Sequence, residues 1–528
     1  MDRDIQVREL YSCGETGDLL QYSKHTYENT VCRMKSGGYL SREIREWKGA
    51  RQGHKRASGH FKTYINPCLT TANSSGLGFT IGPICISAVC VADDTYILSG
   101  DPQSLQALIN IVGHYGKRYR IIFGADKTKV TVTGSKHDIQ YYRDVSFWSL
   151  YGDKIEVSEN NDHLGMIVSG IDEEQKNVDK NIGAARNAIF SFLGNIFSYK
   201  CKISTAVQYH TWLIYVKPVL RSGLAALPVR TVVAKSLTKF HHKVLRSILK
   251  LSTFSPIAPL YFLLGEPPLE ATLHMDILSL FWNIWSNPNT KTFEVVKYLL
   301  AMADKNSLTW SAHVRILFQL YNLPDPLTLL DTSPWSKECW KSHITAVVIS
   351  HHEANWRNRA AANIKLRYLN IQTIGLTTRP HPVLSWAETT QDVVILRPHI
   401  KMLAGDYQCY EYLAHDRGIQ PYCRLCLSST SPSQQPPTEG IDHILTQCRA
   451  TSDTRASHLP GLLNTIAKYI ANHSLLADSS SIQLSQFLLD CSSLNLPNGF
   501  RIPPHLPGFA TITKQCSVMI FAIHKERT

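Results

Sequence analysis

A chain of 528 residues, 44% of them hydrophobic, has material for several cores, which excludes both a disordered protein and a single small domain. Its 55 Lys and Arg against 42 Asp and Glu leave a formal net charge of +13, a balance that favours a polyanionic partner through counterion release. There is no uninterrupted apolar span of membrane length, no signal peptide is evident, and the 13 cysteines form no framework. The chain is therefore expected to be intracellular, in the nucleus or cytoplasm, with no membrane partner and with matches such as Asn73-Ser74-Ser75 unmodified.

In chain order, Leu10-Tyr11-Ser12-Cys13-Gly14, Tyr27-Glu28-Asn29-Thr30 and Gly37-Gly38-Tyr39-Leu40-Ser41 precede a basic, glycine-punctuated segment, Lys48 to Arg56. An apolar helix is predicted around Phe61, Tyr64, Ile65 and Leu69. The run Ile84 to Val91 and the segment Tyr96-Ile97-Leu98 read as two strands, and Ala92-Asp93-Asp94-Thr95 between them reads as a tight turn. Two carboxylates together at the tip of a buried hairpin are costly unless a cation neutralises them. Hard divalent cations take such oxygen ligands and leave sites open for substrate phosphates, which points to phosphoryl transfer. A solvated Asp-Asp turn is the plainer alternative. Beyond it come Tyr115-Gly116-Lys117-Arg118-Tyr119-Arg120, then Ala125-Asp126-Lys127-Thr128-Lys129, the strand-like Val130 to Thr133, and Asp162-His163-Leu164-Gly165-Met166.

In this order and spacing, residues 1–170 resemble the palm of reverse transcriptases from non-LTR (LINE-type) retrotransposons. The resemblance rests on the Arg51-Gln52-Gly53 block, the Ala-Asp-Asp hairpin, the lysine-threonine block and the His163-Leu164-Gly165 turn in the primer-grip place. It implies that Asp93, with an upstream aspartate, binds two Mg²⁺ (or Mn²⁺) ions, and that Asp94 assists. It further implies that Arg51, Gln52 and Gly53 line the nucleotide and template side, and that Lys127 neutralises or protonates departing pyrophosphate. Implied partners are an RNA template, a DNA primer, dNTPs, and element RNA or other element-encoded protein. One block is missing: Met1-Asp2-Arg3 falls at or just after the family's Phe-Asp pair, so the other metal-binding aspartate is expected before residue 1. Asp2 and Asp4 are poor substitutes for it.

After the palm the period changes to that of helices. Val178, Ile182, Ala185, Ile189 and Leu193 mark one amphipathic helix, and Val232 to Leu251 carries Lys235, Lys239, Lys243, Arg246 and Lys250 opposite an apolar face. In the family such helices form a thumb that holds the duplex. A solvated face accounts for the stripe equally well. His241-His242 lacks partner ligands and reads as structural. From Pro256 to Arg397 the pattern is helical with proline breaks. The indoles there read as packing residues, and the basic segment Glu353 to Arg367 as an exposed face or a second nucleic-acid contact.

Cys423 and Cys426, a polar spacer, then His443 and Cys448 offer a closed tetrahedral set for structural Zn²⁺, with Cys409 or His415 able to replace one ligand. Non-LTR elements resemble this too, with a Cys-Cys-His-Cys module after a stretch like Met402 to Tyr407. The expected fold is α+β: a partial palm, an antiparallel sheet with helices, over 1–170, a helical thumb-like region over 171–255, a helical region over 256–415, a zinc-knuckle-like module over 416–450 and a helical tail over 451–528. The expected function is that of a truncated RNA-directed DNA polymerase. The alternative is a catalytically inactive remnant that binds nucleic acid through its basic surfaces and zinc module.

Overall fold

The computed structural model describes all residues except 29, 51–53, 146, 194–202, 229–230, 303–308, 372–373, 377–378, 428–434, 470–479, 493–501, 503 and 507. The fold is α+β, mainly helical with small two-stranded sheets, and divides into two units. One is Met1–Glu173 with Asn287–Met302; the other is Glu174–Ser286 with Ala303–Thr528. Among the described residues, no helix is long and apolar enough to cross a membrane.

In the first unit, two helices form the floor beneath the acidic hairpin. Helix Ala57–Ser74 presents Ile65, Cys68 and Ala72 on one side, and helix Pro102–Arg118 answers with Leu108, Val112 and Tyr115. The second helix starts where the sequence supplies both signals: the Asp101 carboxylate accepts the Ser104 N–H at 2.8 Å, and Pro102 occupies the first turn. Its opposite face adds Ile109 to a cluster of Val130, Trp148, Leu150 and Ile155. Leu108 is fully buried, so its truncation to Ala would cost about 2–5 kcal/mol.

The apolar run Ile84 to Val91 is two strands rather than one. Ile84–Ile86 pairs with Phe79–Ile81, and Ala88–Val91 pairs with Asp94–Ile97, both antiparallel. The break at Ser87 has a local cause. The Asn73 side-chain oxygen accepts the Ser87 and Ala88 N–H groups at 3.0 and 3.3 Å, while its amide nitrogen donates to the Ala88 carbonyl at 3.0 Å. Gly82 turns the first hairpin with a φ of +56°, and the Tyr298 ring fills the space a Cβ would need. Tyr298 comes from helix Lys291–Met302, which sequence pattern places among the later helices but which belongs to this unit, where Lys291 Nζ also donates to the Cys85 carbonyl at 2.9 Å.

The second unit is helical. Helix Glu173–Leu193 buries Val178, Ile182, Ala185 and Ile189, as the spacing predicts. Trp285 and Trp340 pack with Phe281 and Phe318, and their indole N–H groups donate to the Thr332 and Leu278 carbonyls. Packing is thus the role of these tryptophans. At the centre of another core lies Glu266, fully buried. Its carboxylate takes hydrogen bonds from Tyr209 Oη at 2.7 Å and Trp212 Nε1 at 3.1 Å, with Lys217 Nζ at 2.9 Å and His241 Nε2 at 3.3 Å. Burial opposes its ionisation, but the Lys217 ammonium and the His241 hydrogen bond outweigh that penalty and hold the carboxyl down at about 2. His242 lies against Tyr261 Oη at 2.6 Å, so both histidines of the pair are structural, as expected.

Candidate active site and metal centre

Asp93 and Asp94 occupy the tip of hairpin Ala88–Val91/Asp94–Ile97. Register pairs Val91 with Asp94, leaving Ala92 and Asp93 as the two-residue turn. Ala92 takes a φ of 54° and Asp93 does not share it, the pattern of a type II′ turn. A non-glycine residue in that region costs about 1–2 kcal/mol, so the turn is held by its surroundings. Cys90 Sγ donates to the Ala92 carbonyl at 3.1 Å, and Asn73 pins the strand's other end. The expectation of a buried tip is corrected: Asp93 and Asp94 are exposed, and Val89 and Val91 are nearly half exposed. The carboxylates incur little desolvation penalty and both face solvent, open to a hydrated cation.

The hairpin Asn160–His163/Met166–Ser169 lies beside this one. Its turn is Leu164-Gly165, with φ of 48° and 80°, the two positive values of a type I′ turn. His163 lies against Tyr96 with ring centroids 4.0 Å apart. Burial, then the neighbouring Asp94 and Asp162 carboxylates, raise the Tyr96 hydroxyl above its ordinary value. The structure therefore brings His163, Leu164 and Gly165 to the acidic hairpin through Tyr96, a link that sequence reading missed. Its signal was available in the alternation that puts residue 96 on the same strand face as Asp94.

Lys127 is exposed at the end of a turn closed by its own N–H on the Gly124 carbonyl at 3.2 Å. Arg51, Gln52 and Gly53 lie outside the described residues. Asp2 is spoken for: Oδ1 accepts the Asp4 and Ile5 N–H groups at 3.2 Å, capping helix Arg3–Ser12, and Oδ2 pairs with Arg120 Nη1 at 2.9 Å. Burial opposes its charge, but Arg120 and the helix N–H groups prevail and lower the carboxyl below its usual range. Asp4 is exposed in the first turn of that helix.

Residues 2–180 match the reverse transcriptase (RNA-dependent DNA polymerase) family. No curated protein matches the chain. Over those residues the match supports an RNA-directed DNA polymerase at family level; reverse transcriptases in general bind an RNA template, a primer and dNTPs and use Mg²⁺.

Beyond the matched residues, helix Thr231–Leu249 displays Lys235, Lys239 and Lys243 to solvent at successive turns, while Leu237, Phe240, Val244 and Ile248 are buried. Of the other two expected contacts, Arg246 is half-buried and engaged within the protein, and Lys250 is corrected. Arg246 donates through Nε and Nη2 to the Ser255 hydroxyl and carbonyl at 3.1 and 2.9 Å. Lys250 follows the helix end with a φ of 58°, which carries its side chain inward; it is buried, with Nζ donating to Gln208 Oε1 at 2.9 Å. The basic segment Glu353 to Arg367 is likewise largely neutralised. Arg357 pairs with Glu353, Lys365 with Asp416, and Arg367 with both Glu411 and Asp442.

Cys423, Cys426, His443 and Cys448 are all buried, with one ligand atom of each lying within 4.8 Å of the others. Zinc–sulfur bonds of about 2.3 Å in a tetrahedron require sulfurs about 3.8 Å apart and a sulfur–nitrogen edge of about 3.5 Å. The observed edges are 3.6 Å for Cys426–Cys448, 3.9 Å for Cys423–Cys448 and 3.5 Å for Cys426 Sγ to His443 Nε2. The donor set thus fits zinc in kind and in spacing. Cys409 and His415 stand outside it; His415 instead faces Asp416 at 3.3 Å. The loop is closed by Cys423 N–H on the Pro437 carbonyl at 2.9 Å and by the Tyr422–Thr438 bridge. Burial pushes the Cys423 thiol up to about 12; at Cys426, burial is outweighed by the Arg449 N–H and the neighbouring thiols, which lower it.

Proposed function

We propose that the chain carries a reverse transcriptase of the non-LTR retrotransposon type, an RNA-directed DNA polymerase working by two-metal nucleotidyl transfer. The observation that carries this reading is the exposed Ala92-Asp93 turn with the His163 hairpin stacked against its base through Tyr96. Asp93, with Asp94 assisting, would hold Mg²⁺ or Mn²⁺, which supplies charge for activating the primer hydroxyl and stabilising pyrophosphate. The His163-Leu164-Gly165 turn would position the primer end. Lys127 would meet the leaving pyrophosphate, and Arg51, Gln52 and Gly53 the nucleotide and template. Lys235, Lys239 and Lys243 on the thumb-like region 171–255 would contact duplex phosphates without reading sequence. Residues 416–450 would form a zinc module held by Cys423, Cys426, His443 and Cys448. The test is Mg²⁺-dependent primer extension on an RNA template, which Asp93→Ala should abolish.

A second reading is favoured by Asp2, whose oxygens are committed to the helix cap and Arg120, so it does not complete a cage with Asp93. On this reading the chain binds nucleic acid without polymerising. This reading predicts RNA binding that weakens steeply with salt, with no extension in the same assay.

A further inference from the structure

The zinc reading leaves a charge to be balanced. Zn²⁺ with three thiolates and a neutral imidazole carries a net −1 in a site whose four ligands are all buried. Two guanidinium groups lie within electrostatic reach of its ligands. Arg527, from helix Phe509–Arg527, lies within electrostatic reach of Cys423, but its Nη2 is already paired with buried Glu439 at 2.8 Å, so that pair is neutral. Arg455, from helix Ser452–Tyr469, lies within reach of both Cys426 and Cys448. Its Nη1 donates to the Thr451 hydroxyl at 2.7 Å, and that hydroxyl donates to the Cys448 carbonyl at 3.3 Å. The guanidinium is therefore tied to the ligand-bearing turn itself. The carboxylate that also faces it, Glu526, is exposed to solvent and screened.

We infer that Arg455 is the counter-charge of the tri-thiolate metal site, positioned by Thr451, and that it governs how tightly the metal is kept. It rests on the zinc reading. Partners beyond the ligands commonly change metal affinity by about 10–100-fold. Arg455 is a positioning residue, so a neutral replacement should leave the ligands in place but loosen the ion.

The experiment uses the full zinc-loaded chain, with zinc per chain measured by mass spectrometry and zinc transfer to a chromogenic chelator followed in time. Arg455→Gln should retain the far-ultraviolet circular dichroism of the parent and release zinc about tenfold faster or more, with Arg455→Lys restoring most of the lost retention. Thr451→Val, which removes only the anchor, should give a smaller acceleration and serves if Arg455→Gln does not fold. Release at the parental rate from Arg455→Gln, or from Thr451→Val in its place, overturns the inference; so does a lysine variant no better than glutamine. A parent chain without stoichiometric zinc overturns the zinc reading itself, a result distinguishable from unchanged release.

Discussion

Replacing Glu266 by Gln tests the buried charge cluster of the second unit most sharply. The substitution keeps size and shape but removes the negative charge that Lys217, with its side chain only 10% exposed, pairs with at 2.9 Å. Breaking a buried ion pair from one side costs about 3–5 kcal/mol, because the remaining charge is stranded. The same Lys217 and His241 environment is what lowers the carboxyl's pKa. Its fall from 4.5 to about 2 is equivalent to about 3 kcal/mol at neutral pH. A carboxyl depressed in the folded state contributes stability above pH 4.5 and loses it as pH falls toward 2, so the gap between parent and variant should be full at pH 7 and close across that interval. Denaturant unfolding followed by hydrogen exchange in helix Thr231–Leu249 reads the local stability. Trp212, which donates to Glu266 and stacks on His241, provides a fluorescence probe in the same cluster. A variant within about 0.5 kcal/mol of the parent at pH 7, or a gap that does not narrow in acid, would refute the reasoning.

Asn73→Ala removes three hydrogen bonds from the base of the acidic hairpin and should destabilise it by about 2–3 kcal/mol, seen as faster hydrogen exchange over 87–97. Unchanged exchange there would show that packing alone holds the strand. Chelation of a zinc-loaded chain, or Cys426→Ser, should raise exchange over 437–448 and lower metal content; a protein whose metal content is unaffected by Cys426→Ser would contradict the ligand set. Joint replacement of Lys235, Lys239 and Lys243 by Gln should weaken RNA binding and flatten its salt dependence by about three contacts, whereas Lys250→Gln should instead lower stability. An unchanged salt slope in the triple variant would assign that face to solvent alone.

The acidic hairpin, the His163 turn and the Cys/His cluster were legible because each depends on local residue type and short spacing. Register follows from alternation on both sides of Ala92-Asp93, and the Cys-x-x-Cys spacing sets two thiols of the cluster close together before any folding. Less legible was whatever depends on where a helix ends. Lys250 continues the lysine spacing in sequence, but the helix stops at Leu249 and the left-handed Lys250 turns inward. Asn73 reads as a sequon and acts as a backbone clamp, because its partners, Ser87 and Ala88, are distant in sequence. Glu266 follows the same rule, since its donors come from segments 50 or so residues earlier that no periodicity links to it.

Extension of a DNA primer along an RNA template by the purified full chain with Mg²⁺ tests the central claim most directly. The account predicts template-directed incorporation that disappears with the metal and with Asp93→Ala. Incorporation that survives Asp93→Ala, or a parent chain that binds the primed RNA in a salt-sensitive manner yet adds no nucleotide, would contradict it.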